Sequence, residues 1–439
     1  MVNLITIICK YVMILLMVFF TISAISGLKK KDYNDIKWCF YNQIVFAFLF
    51  HGVGSLLILL NEQSTESVIF YLAQVVFFFV YLIIYQLLYK KCNLLLLSST
   101  ILFCMVSMLI LSRLSLARAE KQFILLGGAS IVTLPMPVFA RKMKAAKPVA
   151  GTCGVLGLLM LIAVPFIGIT EFGAKLSLGV KNFSFQPSEF VKVSFVLLIA
   201  VLLRKRKDFK RVFFTTCIAA VHVAVLVYST DLGAALIFFL TYLAILYLAT
   251  KNGWYAILGL AAGCAASVAA YYLFAHVRVR VTAWSDPWSI IDGGGYQIAQ
   301  SLFAIGSGKW FGTGLYKGMA DRIPVVSKDY IFSAISEEMG GIVAVCLIVL
   351  ALICFLRFIQ IAMEFNVIYY RLIGTGLAVM YGVQICLGVG GVIKFIPSTG
   401  VTFPLISYGG SSVASTLIAF GMMQGMYIML RNEEERNEK

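Results

Sequence analysis

Charge is what this chain has least of. Only 13% of its 439 residues are Asp, Glu, Lys or Arg, while 61% are hydrophobic; a soluble domain is about 25% charged and about half apolar. Histidine is nearly absent: His51, His222 and His276 are the three in the chain, far apart in sequence. The ten cysteines include no CxxC pair and no loop cluster, so neither a zinc site nor a disulfide framework is indicated. Most of them, such as Cys9, Cys104 and Cys354, lie inside apolar runs and read as small core hydrophobes.

Nucleotide signatures fail as well. Gly306-Ser307-Gly308-Lys309 has Trp310 where a phosphate loop needs Ser or Thr, and Phe303 stands where its first glycine belongs. The glycines between 293 and 318 do not fit the dinucleotide fingerprint that follows a strand. ATP and NAD are not supported, and no nucleic-acid partner is expected.

What the chain does have is apolar runs of about twenty residues, the length of a bilayer-spanning helix, from end to end. Thirteen are predicted, at roughly 4–26, 38–60, 67–89, 93–112, 122–140, 149–169, 187–203, 212–228, 231–249, 254–275, 332–356, 368–391 and 405–430. This is the pattern of an all-α polytopic integral membrane protein, with the lipid bilayer as its first partner. Lys10 interrupts the first run and no small-residue cleavage site precedes Lys29, so that helix is expected to be retained rather than cleaved as a signal. Inner loops carry the Lys/Arg excess. With the C-terminus cytoplasmic, 22 of the 36 basic residues fall inside, and an odd number of spans then puts the N-terminus outside.

The long polar loop, 276–331, lands outside on this reading. Its Arg278, Arg280, Lys309, Lys317, Arg322 and Lys328 are cations on the disfavoured side, which fits either an anionic partner or a solvated basic face. Its first half has turn composition, whereas Tyr296, Ala299, Leu302 and Phe303 recur at helical spacing. Polar backbone between membrane helices is tolerated only against protein or water, so this loop is expected to be anchored.

A second polar loop, 170–189, is predicted on the same side. Pro187 suits the first turn of the next helix, Ser188 and Glu189 suit its electropositive N-terminus, and Lys192 is three residues beyond Glu189. Asp231 follows Ser229-Thr230 at a membrane boundary and reads as a helix N-cap. Near the end, 396–404 and 407–412 break an apolar segment with Pro, Gly and hydroxyl residues, which either lines a cavity or permits close helix packing. Residues 1–91 carry no motif and form an accessory block, joined at Lys90-Lys91-Cys92 to a module over 92–430, with 431–439 as a cytoplasmic tail.

Five stretches, in order, resemble the SEDS family (shape, elongation, division and sporulation): GAKLSLGVKNFSFQPSEFVKVSF at 173–195, STDLGAALI at 229–237, GYQIAQSLFAIGSGKWFGTGL at 295–315, DYIFSAISEEMG at 329–340 and FIPSTGVTFPLISYGGSS at 395–412. The resemblance implies a ten-helix core, here with about three extra N-terminal transmembrane helices. It implies an inverting peptidoglycan glycosyltransferase that polymerises lipid II, an undecaprenyl-pyrophosphate disaccharide-peptide, at the outer face, partnered by a class B penicillin-binding protein. Such a transfer needs a base for the acceptor hydroxyl and positive charge for the pyrophosphate. A divalent cation, Mg or Mn, could assist the leaving group, but no ligand cluster compels one.

The family's catalytic Asp lies six residues before the GYQ tyrosine, and Ile290 occupies that place here. Asp292 is favoured as the substitute because Gly293, Gly294 and Gly295 give its backbone freedom to adjust; Asp286 is the alternative. Lys328 precedes Asp329, and Ser327 precedes that, where the family often has His-Thr-Asp. Substrate contacts expected from the matching stretches and the loop cations are Lys175, Gln186, Glu189, Lys192, Asp231, Arg278, Arg280, Gln297, Gln300, Lys309, Asp329, Glu337, Ser407 and Ser411. Two other readings remain: a lipid II flippase, with 395–412, Glu189 and Asp231 along its path, and a non-catalytic scaffold for the transpeptidase. The external acidic and basic loop favours the enzyme, since a flippase needs no general base.

Overall fold

The computed structural model describes residues 2–142, 147–171, 174–180, 183–204 and 208–437. The basic residues Lys144, Lys205, Arg206 and Lys207 of two predicted inner loops lie outside them. The chain begins with α1 (Val2–Lys29), α2 (Tyr33–Glu62), α3 (Thr65–Leu88), α4 (Leu94–Leu114), α5 (Leu116–Thr133), α6 (Met136–Lys142) and α7 (Lys147–Ile167). A small antiparallel sheet follows, with β1 (Ile169–Glu171), β2 (Ala174–Val180) and β3 (Phe183–Phe185) in the order β1-β2-β3. Then come α8 (Pro187–Leu203), α9 (Phe209–Tyr228), α10 (Leu232–Thr250), α11 (Gly253–Leu273), α12 (Ala275–Ser285), α13 (Tyr296–Gly308), α14 (Ile331–Glu338), α15 (Gly341–Glu364), α16 (Ile368–Val392) and α17 (Gly410–Asn437).

Twelve helical segments among the described residues are long and apolar enough to cross a membrane. The thirteenth predicted span is α8, seventeen residues long, and the span predicted at 122–140 is α5 and α6 in succession. The span predicted from 332 instead starts at Gly341, because Gly340, at φ +97°, separates it from α14. The polar loop predicted at 170–189 is largely strand, the first strand beginning one residue earlier, and the register pairs Ile169 with Ser177 and Leu178 with Phe185.

The contacts group the chain into two compact units. The first comprises 1–132, 280–357 and 388–409; the second comprises 133–279, 358–387 and 410–439. The axis of the first is α4, where every residue from Leu94 to Arg113 is buried. A helix apolar all round is expected to be buried all round. Two of its hydroxyls turn back onto the helix: Thr100 Oγ1 donates to Leu96 O at 2.7 Å, and Ser112 Oγ donates to Met108 O at 2.7 Å. Ser98 donates to Leu95 O and also to the Gln43 side chain of α2, a polar bridge between those two apolar helices that the sequence pattern did not announce.

The second unit is closed by small residues that let helix backbones approach. On α17, a Cβ at Gly425 would stand 2.4 Å from Pro137 O of α6, and one at Gly421 would stand 2.8 Å from Met136 Cβ. Gly376 of α16 similarly admits Val196 of α8 and Ile245 of α10.

Candidate functional site

In the first unit the long loop is anchored through its own backbone. Residues 309–314 run alongside the end of α14, with Thr313 N donating to Glu337 O at 2.8 Å, Gly314 N to Glu338 O at 2.9 Å and Gly341 N to Lys309 O at 2.8 Å. The two segments cross at Gly312 and Gly340, at φ +72° and +97°. A Cβ on Gly340 would lie 2.5 Å from Gly312 N, so close approach and backbone conformation both require glycine.

Side chains complete the anchorage. Ser301 of α13 donates to Val392 O at 2.9 Å and shares a 2.7 Å hydrogen bond with Ser333 of α14. Trp284 Nε1 donates to Lys394 O at 3.2 Å. Glu337 is buried; its Oε1 accepts from Met319 N at 2.8 Å, while its Oε2 has no partner among the described residues. Ser407 accepts from Phe403 N at 2.9 Å, and Gln122 bridges Ser407 O and Gly409 N, so the end of the broken segment, 403–409, is tied down within this unit.

The carboxylates of this loop differ in environment. Asp286 accepts from Trp288 N at 3.1 Å, a side-chain turn that shapes the loop after α12. Asp292 is exposed and forms no hydrogen bond or ion pair among the described residues. Its turn is fixed behind it: Gly293 N and Gly295 N both donate to Ile290 O, and a Cβ on Gly295 would stand 2.2 Å from Pro287 O. Asp329 is half-buried, and its Oδ2 lies 3.6 Å from where a Cβ on Gly400 would be. Burial raises its carboxyl above the usual range, and the charges of Lys328 and Arg280 oppose that rise. Gln297 and Gln300 are half-buried on α13 without hydrogen bonds among the described residues, and Lys309 is exposed.

The second unit gathers five of the expected residues in two hydrogen-bonded groups at the start of α8. Glu189 of α8 pairs with Lys192 at 2.6 Å and accepts from Ser415 Oγ of α17 at 2.8 Å. Lys192 also donates to Gln384 Oε1 of α16 at 2.7 Å. Asp231 caps α10 through Ala234 N at 3.1 Å, while its other oxygen accepts from Ser188 Oγ at 3.1 Å. Gln186 reaches that oxygen at 3.5 Å and donates its own backbone N–H to Ser411 Oγ at 3.1 Å. Arg278 stands apart, exposed and donating to Tyr272 O at 2.7 Å. Lys175 is on β2, its side chain outside the described residues.

Sequence reasoning read Ser188 only as part of the helix start and missed Gln384 and Ser415. Gln384 is a lone amide in an apolar run, and only that isolation marked it. It also missed the buried pair of Arg113 with Glu338 in the first unit, where Nη2 lies 2.8 Å from Oε1, with Asp321 at 3.4 Å on the outer side of the guanidinium. No group of three or more His, Cys, Asp or Glu side chains is arranged to hold a metal ion among the described residues.

Residues 86–431 match the FtsW/RodA/SpoVE family, described as cell cycle protein. The chain belongs to this family. It is 37% identical over 291 residues to the peptidoglycan glycosyltransferase RodA of Mycobacterium bovis, a match covering 62% of each chain. It is 33% identical over 276 residues to the stage V sporulation protein E of Bacillus subtilis, covering 61% of this chain and 75% of that one. The chain thus spans about 62% of the length of the RodA relative. In fold it is similar to the rod shape determining protein RodA of Thermus thermophilus, with TM-score 0.56 and 22% identity over 76% of this chain and 95% of that one. A chain from a peptidoglycan synthase complex that coordinates polymerization and crosslinking is similar at TM-score 0.65 and 22% identity, covering 77% of this chain and 97% of that one. The fold is therefore the family's polytopic helical membrane architecture, and α1, α2 and nearly all of α3 precede the matched region.

Proposed function

We propose that this chain is an inverting peptidoglycan glycosyltransferase that polymerises lipid II into glycan strands at the outer face of the cytoplasmic membrane. The observation that carries the reading is Asp292: a free, exposed carboxylate on a turn fixed through Ile290 O, in a loop anchored by paired backbone. Asp292 takes the proton of the acceptor hydroxyl as that oxygen bonds to the donor's anomeric carbon. The bond from that carbon to the pyrophosphate breaks, and the polyprenyl pyrophosphate leaves with its electron pair, its added charge met by loop cations such as Arg280 and Lys309. The names of the relatives support this chemistry, since they include peptidoglycan glycosyltransferases.

The outer face is assigned from the excess of basic residues in the opposite loops, which also puts the N-terminus outside and the C-terminus in the cytoplasm. Single-cysteine labelling at Lys29, Lys30 or Lys31 from outside the cell would reverse that assignment. A class B penicillin-binding protein is the proposed partner, in keeping with the synthase complex whose chain shares this fold.

The deciding experiment is polymerisation of labelled lipid II by the purified chain, with and without a class B penicillin-binding protein. Glycan strands are expected, and their absence under both conditions rejects the reading. A flippase is the second reading, favoured by buried Lys192 and Gln384 with half-buried Glu189 among membrane helices. It requires lipid II to cross vesicle bilayers with no glycan formed.

A further inference from the structure

Helices α1 and α2 lie ahead of the region the family shares and hold none of the candidate site residues. One end of each nevertheless closes on a single short stretch of the long loop, 311–316. From the first turns of α1, Lys10 Nζ donates to Gly312 O at 3.2 Å, and the Tyr11 ring lies 5.8 Å from that of Phe311. Thr6 Cγ2 stands 3.4 Å from where a Cβ on Gly314 would be. From the last turn of α2, Glu62 Oε1 accepts the Tyr316 hydroxyl at 2.8 Å, and the Arg113 guanidinium lies 4.6 Å from the centre of the Tyr316 ring.

The stretch these contacts hold is one that would not hold itself. Gly312, Gly314 and Tyr316 all have positive φ, at +72°, +104° and +65°. A non-glycine residue such as Tyr316 is strained in that conformation and keeps it only when its surroundings enforce it. Lys10 is also the single charge within the apolar run of α1, a placement that calls for a partner. Its partner is the Gly312 carbonyl.

We propose that α1 and α2 are a brace for the outer loop: Lys10, Tyr11 and Glu62 fix residues 311–316, and these position α14. The link to α14 is already built, because Thr313 N and Gly314 N donate to Glu337 O and Glu338 O. Asp329 and Tyr330 lead directly into the opposite end of that helix. Lys10 and Glu62 are thus positioning residues for the transfer proposed above, and the consequence for turnover rests on that reading, whereas the brace itself does not.

The test uses the full chain in lipid nanodiscs, with Lys10→Met, Glu62→Met, which removes the acceptor of the Tyr316 hydroxyl, Lys10→Arg and, as a control at the far end of α1, Lys29→Met. Hydrogen exchange is read at the Thr313 and Gly314 amides, and polymerisation of labelled lipid II is read as kcat and KM. Exchange is expected to rise at least about fivefold in Lys10→Met and in Glu62→Met, and to stay unchanged in Lys29→Met. Lys10→Arg, which keeps the donor, is expected to restore most of the protection. In the same two variants kcat should fall several-fold with KM within about twofold. Unchanged exchange in both variants overturns the brace. Raised exchange with normal kcat overturns its positioning role. A wild-type chain that makes no glycan rejects the enzymatic reading, and the exchange result still decides whether the brace exists.

Discussion

Arg113 and Glu338 meet at 2.8 Å, one in the last turn of α4 and the other at the end of α14, with both side chains buried. Burial pushes the Glu338 carboxyl up from its ordinary 4.5 to about 7, and Arg113 only partly opposes this. The folded state therefore keeps a proton that the unfolded chain releases, so stability falls as pH rises from about 4.5 to about 7 and is level above that. Replacing the carboxylate with an amide removes this component. Between pH 5 and 8, wild type should lose up to about 3 kcal/mol relative to Glu338→Gln, read as melting temperature in detergent. Parallel pH profiles for the two proteins would contradict the buried, raised carboxyl.

Asp292 and Asp286 are separable by substitution. Asp292→Asn removes a free carboxylate that supports no structure, so donor binding should persist while turnover drops on the order of a hundredfold or more. Asp286→Asn should do less, because the side-chain oxygen that accepts from Trp288 N is retained. The double change Asp292→Asn with Ile290→Asp is expected to regain part of the activity. Normal glycan synthesis by Asp292→Asn, with none by Asp286→Asn, would transfer the role to Asp286.

In the cluster of α8, Lys192 is buried between Glu189 and Gln384. Removing one partner of a buried charge pair typically costs about 3–5 kcal/mol, because the other charge is stranded. Lys192→Met should therefore lower the melting temperature sharply, and Lys192→Met with Glu189→Gln should recover part of that loss. Simple additivity of the two single variants would show that the pair is not coupled.

Two glycines predict opposite outcomes. Gly340→Ala places a Cβ against the backbone of 310–312 at positive φ and should cost at least about 2 kcal/mol. Gly306→Ala, in α13 with open space around it, should be neutral or stabilising by up to about 1 kcal/mol. Chemical denaturation of both variants checks the contrast.

Local signals were readable where both partners sit within a few residues. Pro187 does open α8, Asp231 does cap α10, Glu189 does pair with Lys192 three residues on, and Tyr296 does begin a helix. Contacts between distant segments were not readable. Arg113 follows an apolar run, and nothing in the sequence ties it to a glutamate 225 residues away. The strands at 169–185 escaped notice because two of them are three residues long, too short for alternation to register. The helix predicted from 332 was started too early because Ile335 and Val343 keep the apolar spacing across Gly340, whose backbone breaks the helix for a steric reason visible only with Gly312 beside it.

The enclosure of α4 also bears on how the protein is made. The finished helix touches protein along its whole length, yet the residue that neutralises Arg113 is synthesised 225 positions later. At about 5–20 residues per second, that delay is on the order of 10 to 50 seconds. Through that interval the leucine-rich flanks of α4 suit it to wait in lipid, and Arg113, placed in the last turn, can extend to the headgroups until Glu338 arrives. Moved two turns inward, the same arginine would strand the nascent helix before its partner existed.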